Sequence, residues 1–314
     1  MVTVSDDSEI DLERLRVGGK RVIAQALAAL ESTPEAAWLR ALLDAAYSAP
    51  RGPVLGLTGP PGVGKSTLLR ALVGHYRGIG ESLGIIAVDP SSRRSGGALL
   101  GDRIRLWSDP RDEGLFIRSM AARGRLGGLA DITAAAMVLM RTVFDRVIIE
   151  TVGVGQSEGD IASVADTVVF CVQPGSGDSL QFMKAGIVEL PDIVAVTKAD
   201  LGPLAERAAA DLRSALSLAS PGTAAWSPPV LSLCAIAPGG ISALTDAVVR
   251  HEAHLAEAAR LEERRSQQAL DWVREAIGAR FGASGLQRAG ELRLEPGQSP
   301  FACLTLLAER LGAN

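Results

Sequence analysis

The sequence predicts an α/β fold whose core is a mostly parallel β-sheet with helices on both faces. Two observations carry that expectation. Short apolar runs rich in Val and Ile, without polar alternation, recur at 54–58, 84–88, 145–149, 167–172, 192–197 and 229–233. Such runs suit strands buried on both faces, as in a parallel sheet. Stretches with apolar residues three and four apart, the helical period, lie between and around them. Ligands of such sheets bind at the carboxyl ends of the strands, and the chemistry-bearing motifs of this chain fall at those ends.

The first run, 54–58, leads into Gly59-Pro60-Pro61-Gly62-Val63-Gly64-Lys65-Ser66-Thr67, and a helical stretch follows to Leu72. The segment satisfies G-x-x-x-x-G-K-[ST] at every fixed position, and strand, loop and helix in that order make a P-loop NTPase core. The glycines let the backbone bend around an anion with its N–H groups turned inward. The helix N-terminus adds partial positive charge. Lys65 can reach β- and γ-phosphate oxygens, and the Ser66 hydroxyl can hold Mg²⁺.

Residues 10–48 carry two amphipathic helical patterns, parted by Ser32-Thr33-Pro34, which suits a helix start. Strand 84–88 ends in Asp89, a carboxylate able to face Mg²⁺ or its waters. Asp102, after Gly101, is a loop residue that carries the same chemistry less specifically. The segment Phe116–Met120, with Arg123 to Leu129 after it, offers basic residues and glycines to an anion or partner, or simply forms a solvated basic loop. A buried helix is expected over Asp131–Met140. Strand 145–149 ends in Glu150-Thr151-Val152-Gly153, a carboxylate with a glycine three residues on. That spacing suits a γ-phosphate sensor: Glu150 toward the metal, the Gly153 N–H toward the phosphate, and a loop released when the phosphate leaves.

Strand 192–197 ends in Thr197-Lys198-Ala199-Asp200, which follows the guanine-reading pattern N-K-x-D with threonine in place of asparagine. The Asp200 carboxylate can accept from guanine N1–H and its exocyclic amine, donors that adenine lacks. The Lys198 stem can cover the base. After strand 229–233 come Cys234-Ala235, where GTPases often carry Ser-Ala; the Ala235 N–H can meet guanine O6. From Ile241 the pattern is helical. His251 and His254, three apart on a helix, read as solvated helix residues rather than a metal site. A short apolar helix is expected within 296–312.

The chain of 314 residues is 47% apolar and 22% charged, a globular composition with room for one large or two modest domains. A net charge of −4 argues against nucleic acid or an anionic membrane as partner. No apolar run is long enough to span a bilayer, and the acidic N-terminus lacks the plan of a signal peptide, so a cytoplasmic location is expected. Cys171, Cys234 and Cys303 are odd in number and far apart. They read as small buried hydrophobes rather than a disulfide framework or a C-x-x-C site.

Taken together, these motifs resemble the methylmalonyl-CoA mutase-associated GTPases, the family also described as ArgK-type transport kinases. The most specific stretches are Val88–Ser92, Gly96–Arg103, Arg123-Gly124 with Gly127–Leu129, and Glu150–Glu158. The resemblance implies a GTPase with Mg²⁺ held in the neighbourhood of Ser66, Asp89, Asp102 and Glu150. Lys65, Glu150 and Asp89 would carry catalysis. Gly59 to Thr67, Gly153, Thr197, Lys198, Asp200, Cys234 and Ala235 would hold GTP or GDP. The resemblance also implies a client-contacting loop at Pro174–Asp178, with Lys184 just beyond it. It divides the chain into an N-terminal helical extension (1–50), a GTPase domain (51–250) and a C-terminal helical segment (251–314) that makes a homodimer. The partner it implies is an adenosylcobalamin-dependent acyl-CoA mutase, whose cofactor delivery and protection the GTPase would control. A small-molecule or protein kinase, and a metal-inserting maturation GTPase, are the alternatives.

Overall fold

The computed structural model describes residues 9–90, 111–122, 131–151, 161–175, 191–219, 225–237 and 240–312, with only the backbone of 89, 90, 121, 122, 131 and 219. Two compact units emerge from its contacts. One is built from residues 53–130 and 144–268, the other from 1–52, 131–143 and 269–314.

The first unit holds a seven-stranded sheet: β1 (Val54–Thr58), β2 (Leu83–Pro90), β3 (Leu115–Ala122), β4 (Arg146–Thr151), β5 (Thr167–Val172), β6 (Ile193–Val196) and β7 (Val230–Ser232). Their order is β3-β2-β4-β1-β5-β6-β7, and every pairing is parallel. The unbroken apolar runs are explained by burial: all residues of β1, β4, β5 and β6 are buried. Fully burying one such Val, Leu or Ile contributes about 1.5–3 kcal/mol.

Strand β3 is a departure from expectation, since Phe116–Met120 reads in the sequence as part of a basic stretch, either facing an anion or partner or forming a solvated loop. Among the described residues it is an edge strand, paired with β2 from Leu83↔Leu115 to Pro90↔Ala122. An edge strand is covered less, so Arg118 and Ser119 interrupt its apolar run without breaking the ladder.

Helix α4 (Lys65–Gly78) buries Leu68, Leu69, Leu72, Val73 and Tyr76 on the sheet, in one core with Leu55, Leu57, Ile85 and Ile148. On the opposite face, α6 (Pro203–Ala219) packs Ala205, Ala209 and Leu212 against Phe170, Val172, Val194 and Val196. Helix α7 (Ser242–Ala256) adds Leu244, Ala247 and Val248 to the core under α4.

His251 of α7 does not match the solvated reading. It is 1% exposed. Its Nδ1 meets the Thr167 hydroxyl at 2.8 Å and its Nε2 lies 3.2 Å from Asp192 Oδ1. Arg264 makes two hydrogen bonds to the same carboxylate, at 3.0 and 2.9 Å. Burial alone would raise the Asp192 pKa, but the His251 and Arg264 contacts overcome it and hold it below the usual carboxylate value. His251 thus continues the buried face of Leu244 and Val248 along α7.

The second unit gathers α1 (Leu12–Val17), α2 (Gly19–Ser32), α3 (Ala37–Tyr47), α5 (Asp131–Val143) and α9 (Pro300–Gly312), with residues 269–289 of α8 (Arg260–Ala289). Leu15, Ile23, Leu27, Leu39 and Leu42 are inaccessible or nearly so, the faces expected from the two N-terminal patterns. Ser299 caps α9 by accepting from Ala302 N at 3.0 Å and donates to Asp44 of α3. Val273, Ile277, Cys303 and Leu311 form a separate small core. Among the described residues no helix is long and apolar enough to cross a membrane.

Candidate nucleotide site

The phosphate loop leaves β1 at Gly59, whose φ is +134°. A Cβ there would stand 2.2 Å from the Cys171 carbonyl oxygen of β5, so only glycine lets the chain turn this close to its neighbouring strand. Gly62 and Gly64 also have positive φ, 76° and 98°. Gly64 is the N-cap of α4, and the loop therefore ends on the positive end of a helix dipole.

Lys65 is buried, and its ammonium donates to Gly59 O at 2.6 Å and Pro60 O at 2.9 Å. Those bonds fold it across the loop it serves. Ser66 donates its hydroxyl proton to Glu150 Oε1 at 2.9 Å. Glu150 is 3% exposed, near the end of β4, with Leu57 of β1 beside it in register. An adjacent hydroxyl pair, Thr151 to Thr58 at 3.0 Å, joins the same two strand ends. A serine hydroxyl and a buried carboxylate converging here are the hard oxygen donors Mg²⁺ takes, and a divalent cation would offset the cost of burying that charge. Ser66 and Glu150 fit the metal.

Asp89 lies at the end of β2, its backbone paired with Ala121. Asp102 and Gly153 fall outside the described residues, as do Arg123–Leu129, Ser176–Asp178 and Lys184. Beneath the loop, burial pushes the Cys171 thiol up to about 12, with Lys65 opposing and Glu150 adding; it is an inert packing group.

The residues expected to read the base gather on the other side of β1. Thr197 N donates to Val172 O at 2.8 Å. Its buried hydroxyl lies 2.5 Å from Val63 O and 3.1 Å from Val172 O. Where the pattern has asparagine, Thr197 thus ties the base loop to the phosphate loop and to β5. Lys198 has left-handed backbone, φ 55° and ψ 44°. Its ammonium donates to Gly62 O at 3.1 Å and to Gln173 Oε1 at 2.5 Å. Asp200 is exposed in the turn Ala199–Leu201. The half-buried Cys234 donates its S–H to Asp200 Oδ1 at 3.5 Å, and Ala199 N donates to Leu233 O at 3.0 Å, so the two base loops are joined. Ala235 follows, partly buried against the α4 core.

The structure therefore brings Gly59–Thr67, Glu150, Thr197, Lys198, Asp200, Cys234 and Ala235 to one rim of the sheet. Sequence reasoning missed Gln173 and the Thr58–Thr151 pair. Gln173 had one available signal, its place directly after a buried strand at the functional rim.

A parallel sheet carrying this loop between β1 and α4, with a carboxylate on its serine, defines a P-loop nucleoside-triphosphate-binding protein. The narrower assignment comes from comparison. The family model of the methylmalonyl Co-A mutase-associated GTPase MeaB matches residues 23–284, and the chain belongs to that family of GTPases. A Pyrococcus abyssi protein named as a GTPase is 43% identical over 258 residues, 81% of this chain and 79% of its own. The mouse protein named methylmalonic aciduria type A homolog, mitochondrial, is 39% identical over 223 residues, 70% of this chain and 54% of its own. A solved structure described as LAO/AO transport system kinase superposes with a TM-score of 0.67 at 28% identity, covering 96% of both chains.

Proposed function

We propose that this GTPase is a Mg²⁺-dependent chaperone of an adenosylcobalamin-dependent acyl-CoA mutase, methylmalonyl-CoA mutase or a close relative, gating cofactor delivery and protecting the mutase. The family description and the name of the mouse relative support the client class. The observation that carries the chemistry is the Ser66–Glu150 hydrogen bond beside the folded-over Lys65. Ser66 and Glu150, with Asp89 and Asp102, would hold the metal. When bound, Mg²⁺ supplies positive charge to the β- and γ-phosphate oxygens.

Lys65 neutralises charge at the β–γ bridge while a water attacks the γ-phosphorus. The segment from Thr151 through Gly153 responds to that phosphate and relaxes on its loss. Gly59–Thr67 cradle the phosphates. Thr197, Lys198, Asp200, Cys234 and Ala235 form the guanine side. Residues 251–314 pair two copies into a homodimer.

Steady-state GTP hydrolysis, measured alone and with a cobalamin-dependent mutase, tests the reading. The expected result is slow basal turnover that the mutase accelerates. Fast turnover indifferent to the mutase overturns it. The likeness to the transport system kinase favours a second reading, phosphoryl transfer to a small molecule or a binding protein. Label from γ-phosphate-labelled GTP appearing on candidate amino acids or periplasmic binding proteins would support that alternative.

A further inference from the structure

The ammonium of Lys198 is held from two sides. Gly62 O of the phosphate loop accepts from it at 3.1 Å and Gln173 Oε1, just past β5, at 2.5 Å. The residue before it is anchored as well: the Thr197 hydroxyl lies 2.5 Å from Val63 O. Consecutive residues of the base loop thus grip consecutive carbonyls of the phosphate loop. Among the described residues, Gln173 supplies a side-chain acceptor in this arrangement.

The anchoring has a physical reason. A lysine has four rotatable side-chain bonds and an exposed ammonium usually roams among rotamers, at a cost of up to about 2 kcal/mol when fixed. Lys198 is exposed, yet its backbone is held in the left-handed region, φ 55°, which is costly for a residue with a Cβ and persists only where surroundings dictate it. With backbone and ammonium both fixed, the methylene stem between them has few conformations left. A stem laid across the site is a preformed apolar lid for a purine face; a free one would have to be ordered by each ligand that binds.

We infer that Gln173 is a positioning residue of the guanine site: it holds the Lys198 stem in its base-covering conformation and so slows nucleotide release. This rests on the reading of 197–200 as the base loop. It adds a residue that the G-K-[ST] and N-K-x-D patterns do not contain. It also gives base occupancy a direct route to the exit of β5, where Pro174 and Gly175 follow.

Dissociation of a fluorescent GDP from the full-length protein, chased with unlabelled GDP, tests the inference. Gln173→Leu removes the acceptor and should release the probe about tenfold faster, the loss of one hydrogen bond to a charged group. Gln173→Glu keeps an acceptor and adds opposite charge; its release should be as slow as wild type or slower. Inorganic triphosphate, which lacks a base, should compete with the same affinity in all three proteins within about twofold, because the phosphate contacts are unchanged. Should Gln173→Leu fail to fold, Gln173→Ala and the Glu variant carry the same comparison. Unchanged release in Gln173→Leu or Gln173→Ala, faster release in Gln173→Glu, or equal loss of triphosphate and GDP binding, overturns the role of Gln173 alone. A wild-type protein that does not bind the probe overturns the reading of the site and this inference with it.

Discussion

Replacing Thr197 with valine keeps the branched shape of the side chain and removes one hydroxyl. The consequence can be worked from the contacts. Val172 O keeps its bond from Thr197 N at 2.8 Å. Val63 O, 2.5 Å from the hydroxyl, loses that donor. Thr197 is 5% and Val63 1% exposed, so water does not easily replace it. A buried carbonyl stripped of its partner costs about 1–3 kcal/mol, and the added methyl returns part of this. The net expectation is a loss of about 1–2 kcal/mol, located where the base loop meets the phosphate loop. Thr197→Ser keeps the hydroxyl and should lose less, about the 0.8 kcal/mol of one buried methyl group. Urea unfolding reads the stability, and calorimetric titration with GDP reads the site, where affinity should fall by about tenfold as the two loops come apart. A valine variant with wild-type stability and wild-type GDP affinity would refute the reasoning, because it would mean this hydroxyl joins nothing of consequence.

Three further outcomes are expected. Asp200→Asn should relax discrimination between GDP and a base lacking the exocyclic amine, by about tenfold or more in the ratio of dissociation constants; an unchanged ratio removes Asp200 from the base site. Gly59→Ala should destabilise by at least about 3 kcal/mol, combining an unfavourable φ with a methyl driven into the Cys171 carbonyl, and thermal unfolding would show it. Asp192, whose pKa is lowered in the fold, contributes stability that is fully present above the ordinary carboxylate pKa and is lost as pH falls through the lower folded value. Asp192→Asn should therefore cost about 3 kcal/mol at neutral pH and flatten the acid limb below about pH 4; a variant with the wild-type pH profile of unfolding would sink this.

The parallel sheet and the phosphate loop were legible because burial on both faces leaves unbroken apolar runs, and because a tight anion-binding turn tolerates few residues other than glycine. Strand β3 was not, since an edge position relaxes the demand for apolar residues and lets Arg118 and Ser119 stand within it. His251 was misread for the opposite reason. Histidine looks polar in isolation, and only the fold shows that Thr167 and Asp192 satisfy it in the interior, with Arg264 on the same carboxylate. At the site, spacing named Lys65, Ser66, Glu150 and Asp200 but not what each would touch. That Thr197 spends its hydroxyl on protein carbonyls, and that Gln173 reaches Lys198, depends on β5 lying between β1 and β6, an ordering no local pattern encodes.

That ordering separates two tasks. Glu150 leaves from β4 and Lys198 from just past β6, three strand spacings apart, or roughly 14 Å. In the function proposed above, one flank of the rim would handle hydrolysis and the other identity, with the glycine turn as their common wall. Selection or design could consequently retune which purine is admitted while leaving the timing of turnover alone, or slow the clock without changing what winds it.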